Sequence, residues 1–234
     1  MYSTSLLICA FISIVYQKIT LCLHVDTKYP IVYELPANYH HGSSSHFGYS
    51  IRIFRNQLLI GAPRASSKLT GNVVKTGALF SCDIVTTLCQ EVELPLERSK
   101  NTGQYPVTHH YREGMFLGGT VRTSSDSNLN PSQAAICAHC WYNEVNWTRK
   151  GDTDRHPVGR CWMLDSVTNR TDNLIGFVNR DNWVSQGSYY HQLAMQGMDA
   201  QFSTSAGNDG KSGQNLVVGA PGFYNFRGTT AAFR

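Results

Sequence analysis

Cysteines are the residues of this sequence whose type and spacing could most directly do chemistry. Seven are present among 234 residues. Five of them lie beyond residue 22: Cys82, Cys89, Cys137, Cys140 and Cys161. Cysteine thiolates can bind zinc, whereas in secreted proteins the same side chains are oxidised to disulfides. The compartment therefore decides which chemistry these residues perform.

Two pairs of cysteines have spacings that suit disulfides. Cys82 and Cys89 are close enough to staple a hairpin, while Cys137 and Cys161 bracket a polar segment typical of a loop. Cys140 is then left over. The alternative is a zinc site with four nitrogen and sulfur ligands, namely Cys137, His139, Cys140 and Cys161.

The first 22 residues indicate an oxidising compartment. The run from Leu6 to Tyr16 contains no charged residue and is shorter than the about 20 apolar residues that span a bilayer. It is typical of the apolar region of a secretory signal peptide, with the small residues Thr20 and Cys22 before a cleavage site. A buried helix is the alternative. We expect residues 1–22 to be removed and the remainder to be extracellular, with no membrane span.

Two glycosylation sequons agree with secretion. Asn146 and Asn169 each begin an Asn-X-Thr triplet, and both lie in polar stretches typical of surface loops. The alternative for each is chance occurrence, because the triplet is short. The sequence therefore predicts N-linked glycans at both positions.

Composition excludes several classes of protein. The net charge is only +4, with Lys and Arg scattered along the chain, so no nucleic-acid partner is expected. The apolar share of 41% can form a core, which argues against disorder.

Histidines cluster at 40–46 and 109–110, but without acidic partners at metal-site spacing, and we expect them in solvated loops. The sequence has no nucleophile elbow or phosphate loop, so no catalytic residues and no enzyme activity are expected.

The strands that must position the cysteines belong to a pattern that repeats along the chain. Ser50–Phe54 alternates like a half-buried strand, and Leu58–Ile60 is typical of a buried strand ending at Gly-Ala-Pro. The segments LLIGAP, AAICAH and LVVGAP are the same element in three successive units, each followed by a strand that begins with glycine. Such repeats predict propeller blades, which need neighbours to bury both faces. The alternative is a β-sandwich with coincidental Gly-Ala-Pro turns.

The order of these motifs resembles the FG-GAP repeats of the N-terminal β-propeller of integrin α subunits. FG at 47–48 precedes GAP at 61–63, and CAH at 137–139 precedes GRC at 159–161. GAPGFYNFRG at 219–228 is similar to a third-blade segment of that family, and HVDTKYP at 24–30 resembles the short strand that begins its mature chains. The resemblance covers residues 24–234.

The resemblance implies an all-β fold, part of a seven-bladed β-propeller with about three blades of four antiparallel strands. It divides the chain after the signal peptide into an N-terminal strand and first blade at 23–100, a second blade at 101–165 and a truncated third blade at 166–234. We therefore expect the sequence to be a piece of a longer α chain.

The resemblance also bears on cysteines and metals. Cys82–Cys89 and Cys137–Cys161 match disulfides of the first two blades, whereas Cys140 departs from the family pattern. It is expected to be an unpaired thiol, an intermolecular link or a rearranged partner. The Ca²⁺ loops of the family lie in later blades, so no metal and no cofactor are expected in this chain.

Partners follow from the same resemblance. It implies a heterodimer with an integrin β subunit and an extracellular matrix ligand bound at the seam between them, at the cell surface. Tyr224, Asn225, Phe226 and Arg227 look more like laminin-binding α chains than RGD-binding ones, so Tyr224, Asn225 and Arg227 are expected near the ligand or β-subunit face. The alternative for Tyr224 and Phe226 is packing between blades. A second function is a solitary secreted propeller that binds matrix or glycan.

Overall fold

The structure is a computed structural model of the chain. It describes residues 28–39, 44–69, 73–95, 107–111, 113–124, 131–146, 153–165, 170–174, 193–206 and 212–233. The expected signal peptide and Asn169 lie outside these ranges. The chain divides into two compact units, Met1–Val32 and Tyr33–Arg234.

The first unit is described only at residues 28–32. There the Lys28 ammonium lies 5.7 Å from the centre of the Tyr29 ring, and Tyr29, Ile31 and Val32 are exposed. Residues 28–32 form no strand. Residues 24–27 lie outside the described ranges, so the N-terminal strand implied by the family resemblance stays a prediction.

The second unit is all-β, as predicted. Its described residues contain a 3₁₀ turn at Ala37–Tyr39, one short helix and fourteen strands. The strands are β1 Ser50–Phe54, β2 Gln57–Ala62, β3 Ala78–Asp83, β4 Cys89–Glu91, β5 Val107–Tyr111, β6 Thr120–Thr123, β7 Gln133–Ala138, β8 Tyr142–Asn146, β9 Thr153–Pro157, β10 Arg160–Asp165, β11 Arg170–Leu174, β12 Ala200–Ala206, β13 Ser212–Ala220 and β14 Thr229–Phe233. The helix is α1, Phe223–Phe226.

Three antiparallel sheets correspond to the three sequence repeats. Their strand orders are β1-β2-β3-β4, β6-β7-β10-β11 and β12-β13-β14, so the first two have four strands and the third has three in the described residues. The fold is that of a partial β-propeller. The second sheet extends to Leu174, beyond the boundary expected at residue 165.

A fourth sheet was not predicted. Strands β5, β8 and β9 form a three-stranded antiparallel sheet, so the segment between Cys137 and Cys161 is a hairpin rather than a loop. His109 and His110 accordingly lie in strand β5, not in a loop. These strands, VTHHY, YNEVN and TDRHP, lack the apolar alternation by which a half-buried strand is recognised.

Neighbouring sheets are joined by the same backbone contact in each case. Gly77 forms a parallel bridge with Leu117 between the first and second sheets, and Gly159 forms one with Gln196 between the second and third. Gly77 and Gly159 occupy the same place in their repeats, directly before β3 and β10. The sequence repeat therefore produces a repeated joint.

Apolar side chains fill the spaces between the sheets. One core cluster joins the first and second sheets around Leu59, Leu79, Ile136 and Trp162, all at most 2% exposed. Another joins the second and third sheets. Its buried members are Ala135, Cys137, Cys161, Leu174, Ala200, Phe202, Leu216 and Val218. Each sheet is thus stabilised mainly by burial against its neighbour.

Candidate functional site

The loops before the first strand and after the second strand of each repeat meet at one end of the sheets. Three equivalent backbone hydrogen bonds hold them together: Arg64 N–H donates to Ser45 O at 3.1 Å, Cys140 N–H to Met115 O at 3.2 Å, and Gly222 N–H to Ala194 O at 3.3 Å. We call this surface the loop end, comprising residues 45–49, 63–64, 115–119, 139–141, 194–198 and 221–227. It contains Cys140 and all three residues predicted to face a partner.

A tight turn precedes the first strand in every repeat. His46, Phe116 and Met195 hold equivalent positions two residues before a glycine, and all have positive φ, at 54°, 64° and 51°. Non-glycine residues rarely adopt this conformation, so the surrounding structure must fix it. The turn gives the loop end a defined shape.

Aromatic rings form a row across the first joint at the loop end. His46 stacks on Tyr49 with ring centres 6.4 Å apart, Tyr49 meets Phe116 edge-on at 5.4 Å, and Phe116 lies 4.9 Å from His139. Tyr49 is 58% exposed despite this packing. Sequence reasoning missed the row, although each ring lies within three residues of the FG motif, of Gly118 or of the CAH motif.

Helix α1 presents the residues that the resemblance placed near a partner. The Arg227 guanidinium lies 5.1 Å from the centre of the Tyr224 ring, a cation–π distance. Tyr224 and Phe226 have positive φ and are 37% and 69% exposed. Packing of either ring against a following blade stays a prediction, because the described residues include no repeat after the third. Asn225 lies within the same helix.

The structure contains the two disulfides that the resemblance implies, Cys82–Cys89 and Cys137–Cys161. The second pairing uses two of the four ligands of the alternative zinc site. Across the described ranges no cluster of three or more His, Cys, Asp and Glu side chains could hold a metal ion.

Cys140 is the free cysteine of the described residues. Its side chain is half-buried, and desolvation raises the pKa of the thiol above its usual value. A raised pKa keeps the thiol protonated and therefore poorly nucleophilic at neutral pH. Partial burial thus makes Cys140 less reactive than an exposed thiol.

His139, between the disulfide and Cys140, is partly withdrawn from water. Its Nδ1 atom is buried and makes no hydrogen bond in the described structure. Desolvation lowers the pKa of His139 below its usual value, which favours the neutral imidazole against the Phe116 ring.

Asn146 is the last residue of β8 and lies opposite Thr153, the first residue of β9, so it directly precedes the segment that connects the two strands. The other two residues of its sequon lie outside the described ranges, as does Asn169. Glycosylation at both positions stays a prediction.

The known proteins that are similar in sequence to this chain belong to one class. No family model matches the chain. Integrin alpha-3 of Cricetulus griseus is 29% identical over 227 residues, covering 91% of this chain and 19% of that protein. Integrin alpha-7 of Mus musculus is 29% identical, covering 78% and 15%, and integrin alpha-6 of Homo sapiens is 26% identical, again covering 78% and 15%.

The repeated antiparallel sheets define a partial β-propeller with FG-GAP loops. The homologues of this chain are integrin α subunits. The chain spans less than a fifth of the length of these relatives. No helix in the described part is long and apolar enough to cross a membrane.

Proposed function

We propose that this chain forms the N-terminal part of the ligand-binding head of an integrin α-type adhesion receptor. The observation that carries the proposal is the agreement between its three-fold repeat and its similarity to integrin α subunits along most of its length. The receptor would act in cell–matrix adhesion and signalling as a heterodimer with a β subunit.

In this proposal the loop end is the surface that binds other proteins. Tyr49, Tyr224 and Phe226 expose large aromatic surfaces there, and Arg227 lies beside Tyr224. Tyr, Trp and Arg are the side chains that most often anchor protein interfaces, since they combine large contact areas with hydrogen-bonding groups. We assign the row at Tyr49 to the β subunit and helix α1 to the matrix ligand.

The expected ligand is laminin-like rather than RGD-containing. This choice rests on the resemblance of Tyr224, Asn225, Phe226 and Arg227 to laminin-binding α chains. Both rings have exposed surface in this chain, Phe226 more than Tyr224. The proposal includes no catalytic step, and it requires no metal or cofactor within this chain.

The proposal places the chain in the secretory pathway and, in the complete receptor, at the cell surface. Digestion with an N-glycosidase would then reduce the mass of the secreted protein. Asn146→Gln and Asn169→Gln would each remove one glycan. An unchanged mass after digestion would contradict glycosylation at both positions, whereas retention of the protein inside the cell would contradict passage through the secretory pathway.

The partner test is co-secretion with an integrin β-subunit ectodomain, using the chain within a full-length α subunit. We expect a stable heterodimer, and Tyr49→Ala should reduce its recovery at least about tenfold, as loss of an interface anchor does. Val85→Ala is the matched control, because Val85 is 89% exposed in the turn between β3 and β4, at the opposite end of the first sheet. Secretion of a solitary monomer would contradict the proposal.

The ligand test measures adhesion of cells carrying that receptor to laminin and to an RGD-containing protein. Tyr224→Ala and Arg227→Ala should each weaken laminin adhesion while the surface level of the receptor stays constant. Unchanged adhesion with both variants would show that α1 does not contact the ligand.

A further inference from the structure

Two arginines repeat in sequence and in conformation at the adjacent edges of the first two sheets. Arg52 of β1 and Arg122 of β6 each lie four residues after the turn glycine of their repeat. Each donates a hydrogen bond from Nη1 to the carbonyl of the residue before it, at 2.7 Å for Arg52 and 3.0 Å for Arg122. Both strands are edge strands, and they lie side by side.

The two strands also present the same face to the next sheet. Ser50 of β1 donates its hydroxyl to Gly118 O at 2.7 Å in the second sheet's loop. Thr120 of β6, at the equivalent position, donates to Met198 O at 3.1 Å in the third sheet's loop. Since alternate residues of a strand share a face, Arg52 and Arg122 lie on the faces that look toward the next sheet.

The two repeats differ in the group that lies at the position facing the arginine. Arg122 forms an ion pair with Asp199, whose Oδ1 lies 2.7 Å from Nη2. Asp199 lies two residues after the third turn glycine, and the equivalent residue in the second repeat is Thr120. At the position where the third repeat has Asp199, the second repeat therefore has a hydroxyl, and Thr120 donates that hydroxyl to Met198 O.

The local charge is consequently unbalanced. Asp199 is engaged by Arg122 and by the Ala200 N–H at 2.9 Å, and among the described residues no carboxylate forms an ion pair with Arg52. Partial burial, and then repulsion from Arg122, lower the pKa of Arg52, while Asp199 opposes that shift. The group that would relieve the repulsion is an additional anion.

We infer that Arg52 and Arg122 bind an oxyanion group, a carboxylate or a sulfate, supplied by another molecule. The ion pair between Arg122 and the Asp199 carboxylate is an example of this kind of binding within the chain. A planar guanidinium can bind an oxyanion through paired N–H donors. Arg52 is only half-buried, so its remaining donors are open to an incoming group. The bound anion would lie against the edges of β1 and β6.

The test is a titration of the chain with sodium sulfate and, separately, sodium acetate, at constant ionic strength with chloride. Binding is measured by calorimetry and by the Nε–Hε signals of the arginines in nuclear magnetic resonance spectra. We expect saturable binding of at least one of these anions, and the more tightly bound of the two identifies the preferred group.

Four variants make the expectation specific. Arg52→Gln and Arg122→Gln should each weaken binding about tenfold or more, the factor for losing a charge-assisted hydrogen-bonding group. Arg55→Gln, which removes the same charge from the exposed turn after β1, should leave it unchanged. Asp199→Asn should tighten binding, because it releases Arg122 from its competing carboxylate.

The inference is independent of the proposed adhesion function, and its failure has a distinct signature. Signals that move linearly without saturation, or that move equally in all four variants, would indicate an adventitious ion only and overturn it. Circular dichroism spectra matching the wild type establish that each variant is folded, so a loss of binding reports the site itself.

Discussion

Gly159 and Gln196 form the backbone bridge that joins the second sheet to the third. A Cβ atom placed on Gly159 would lie 2.2 Å from Gln196 O and 2.3 Å from Gln196 N. Gln196 is fully buried and donates its side-chain amide to Leu174 O at 3.2 Å. The joint therefore requires both a glycine and a buried amide that ties it to β11.

Replacing Gly159 by alanine should disrupt this joint. Gly159 has φ of 73°, so alanine adds backbone strain of about 1–2 kcal/mol. The clash with the Gln196 backbone adds about 1–3 kcal/mol more as overpacking. We expect Gly159→Ala to lower the free energy of unfolding by about 2–5 kcal/mol, measured by denaturant titration.

Gly48→Ala is the control for the backbone term alone. Gly48 has φ of 89°, but a Cβ there would meet no atom within 4 Å. Gly48→Ala should therefore lower the free energy of unfolding by only about 1–2 kcal/mol. Equal losses in the two variants would show that the close approach at Gly159 does not matter.

The disulfide between Cys137 and Cys161 should be a main support of the second core cluster. Both residues are fully buried and pack with Phe202 and Leu216 of the third sheet. Changing both cysteines to alanine should destabilise the protein by about 2–4 kcal/mol. Cys140→Ser should have a much smaller effect, because Cys140 lies outside that cluster.

Peptide mapping of the non-reduced protein checks the pairing directly. We expect one linked peptide pair containing Cys137 and Cys161, and a thiol at Cys140 that is alkylated faster after unfolding than in the folded protein. A bridge between Cys140 and Cys161 would contradict the structure.

The sequence predicted the elements that have a strong apolar signal. Ser50–Phe54 and the buried strands around Ile60, Ile136 and Val218 were recognisable because period-two alternation or a short apolar run marks them. The sheet of β5, β8 and β9 was missed because backbone hydrogen bonds alone reveal it. The ion pair of Arg122 and Asp199 joins residues from different repeats, and a single sequence carries no signal for such contacts.

The segment before the first strand should be held by one strong hydrogen bond. The Tyr39 hydroxyl donates to the Glu91 carboxylate of β4, and its ring meets Phe80 edge-on at 5.1 Å. Burial and the Glu91 charge raise the pKa of Tyr39, so the hydroxyl stays protonated. Tyr39→Phe keeps the ring and should cost about 1.5–3 kcal/mol in the free energy of unfolding, the value of a hydrogen bond to a charged group.

Tyr33→Phe is the matched comparison for Tyr39. The Tyr33 hydroxyl donates to the neutral carbonyl of Ile84 at 3.2 Å. Its loss should cost about 0.5–1.5 kcal/mol. A larger effect for Tyr33 than for Tyr39 would contradict the role assigned to Glu91.

His139 should make the stability of the folded protein depend on pH. Its folded pKa is depressed by desolvation below the ordinary value of 6.5, so below pH 6.5 the unfolded chain binds a proton more readily than the folded one. The contribution of neutral His139 is therefore fully present above pH 6.5 and is lost as the pH falls toward the folded pKa. His139→Phe keeps an aromatic ring against Phe116 and removes this titration. The difference in unfolding free energy between variant and wild type should grow in favour of the variant on acidification, and a difference that is constant from pH 7.5 to 5 would show that His139 is equally solvated in both states.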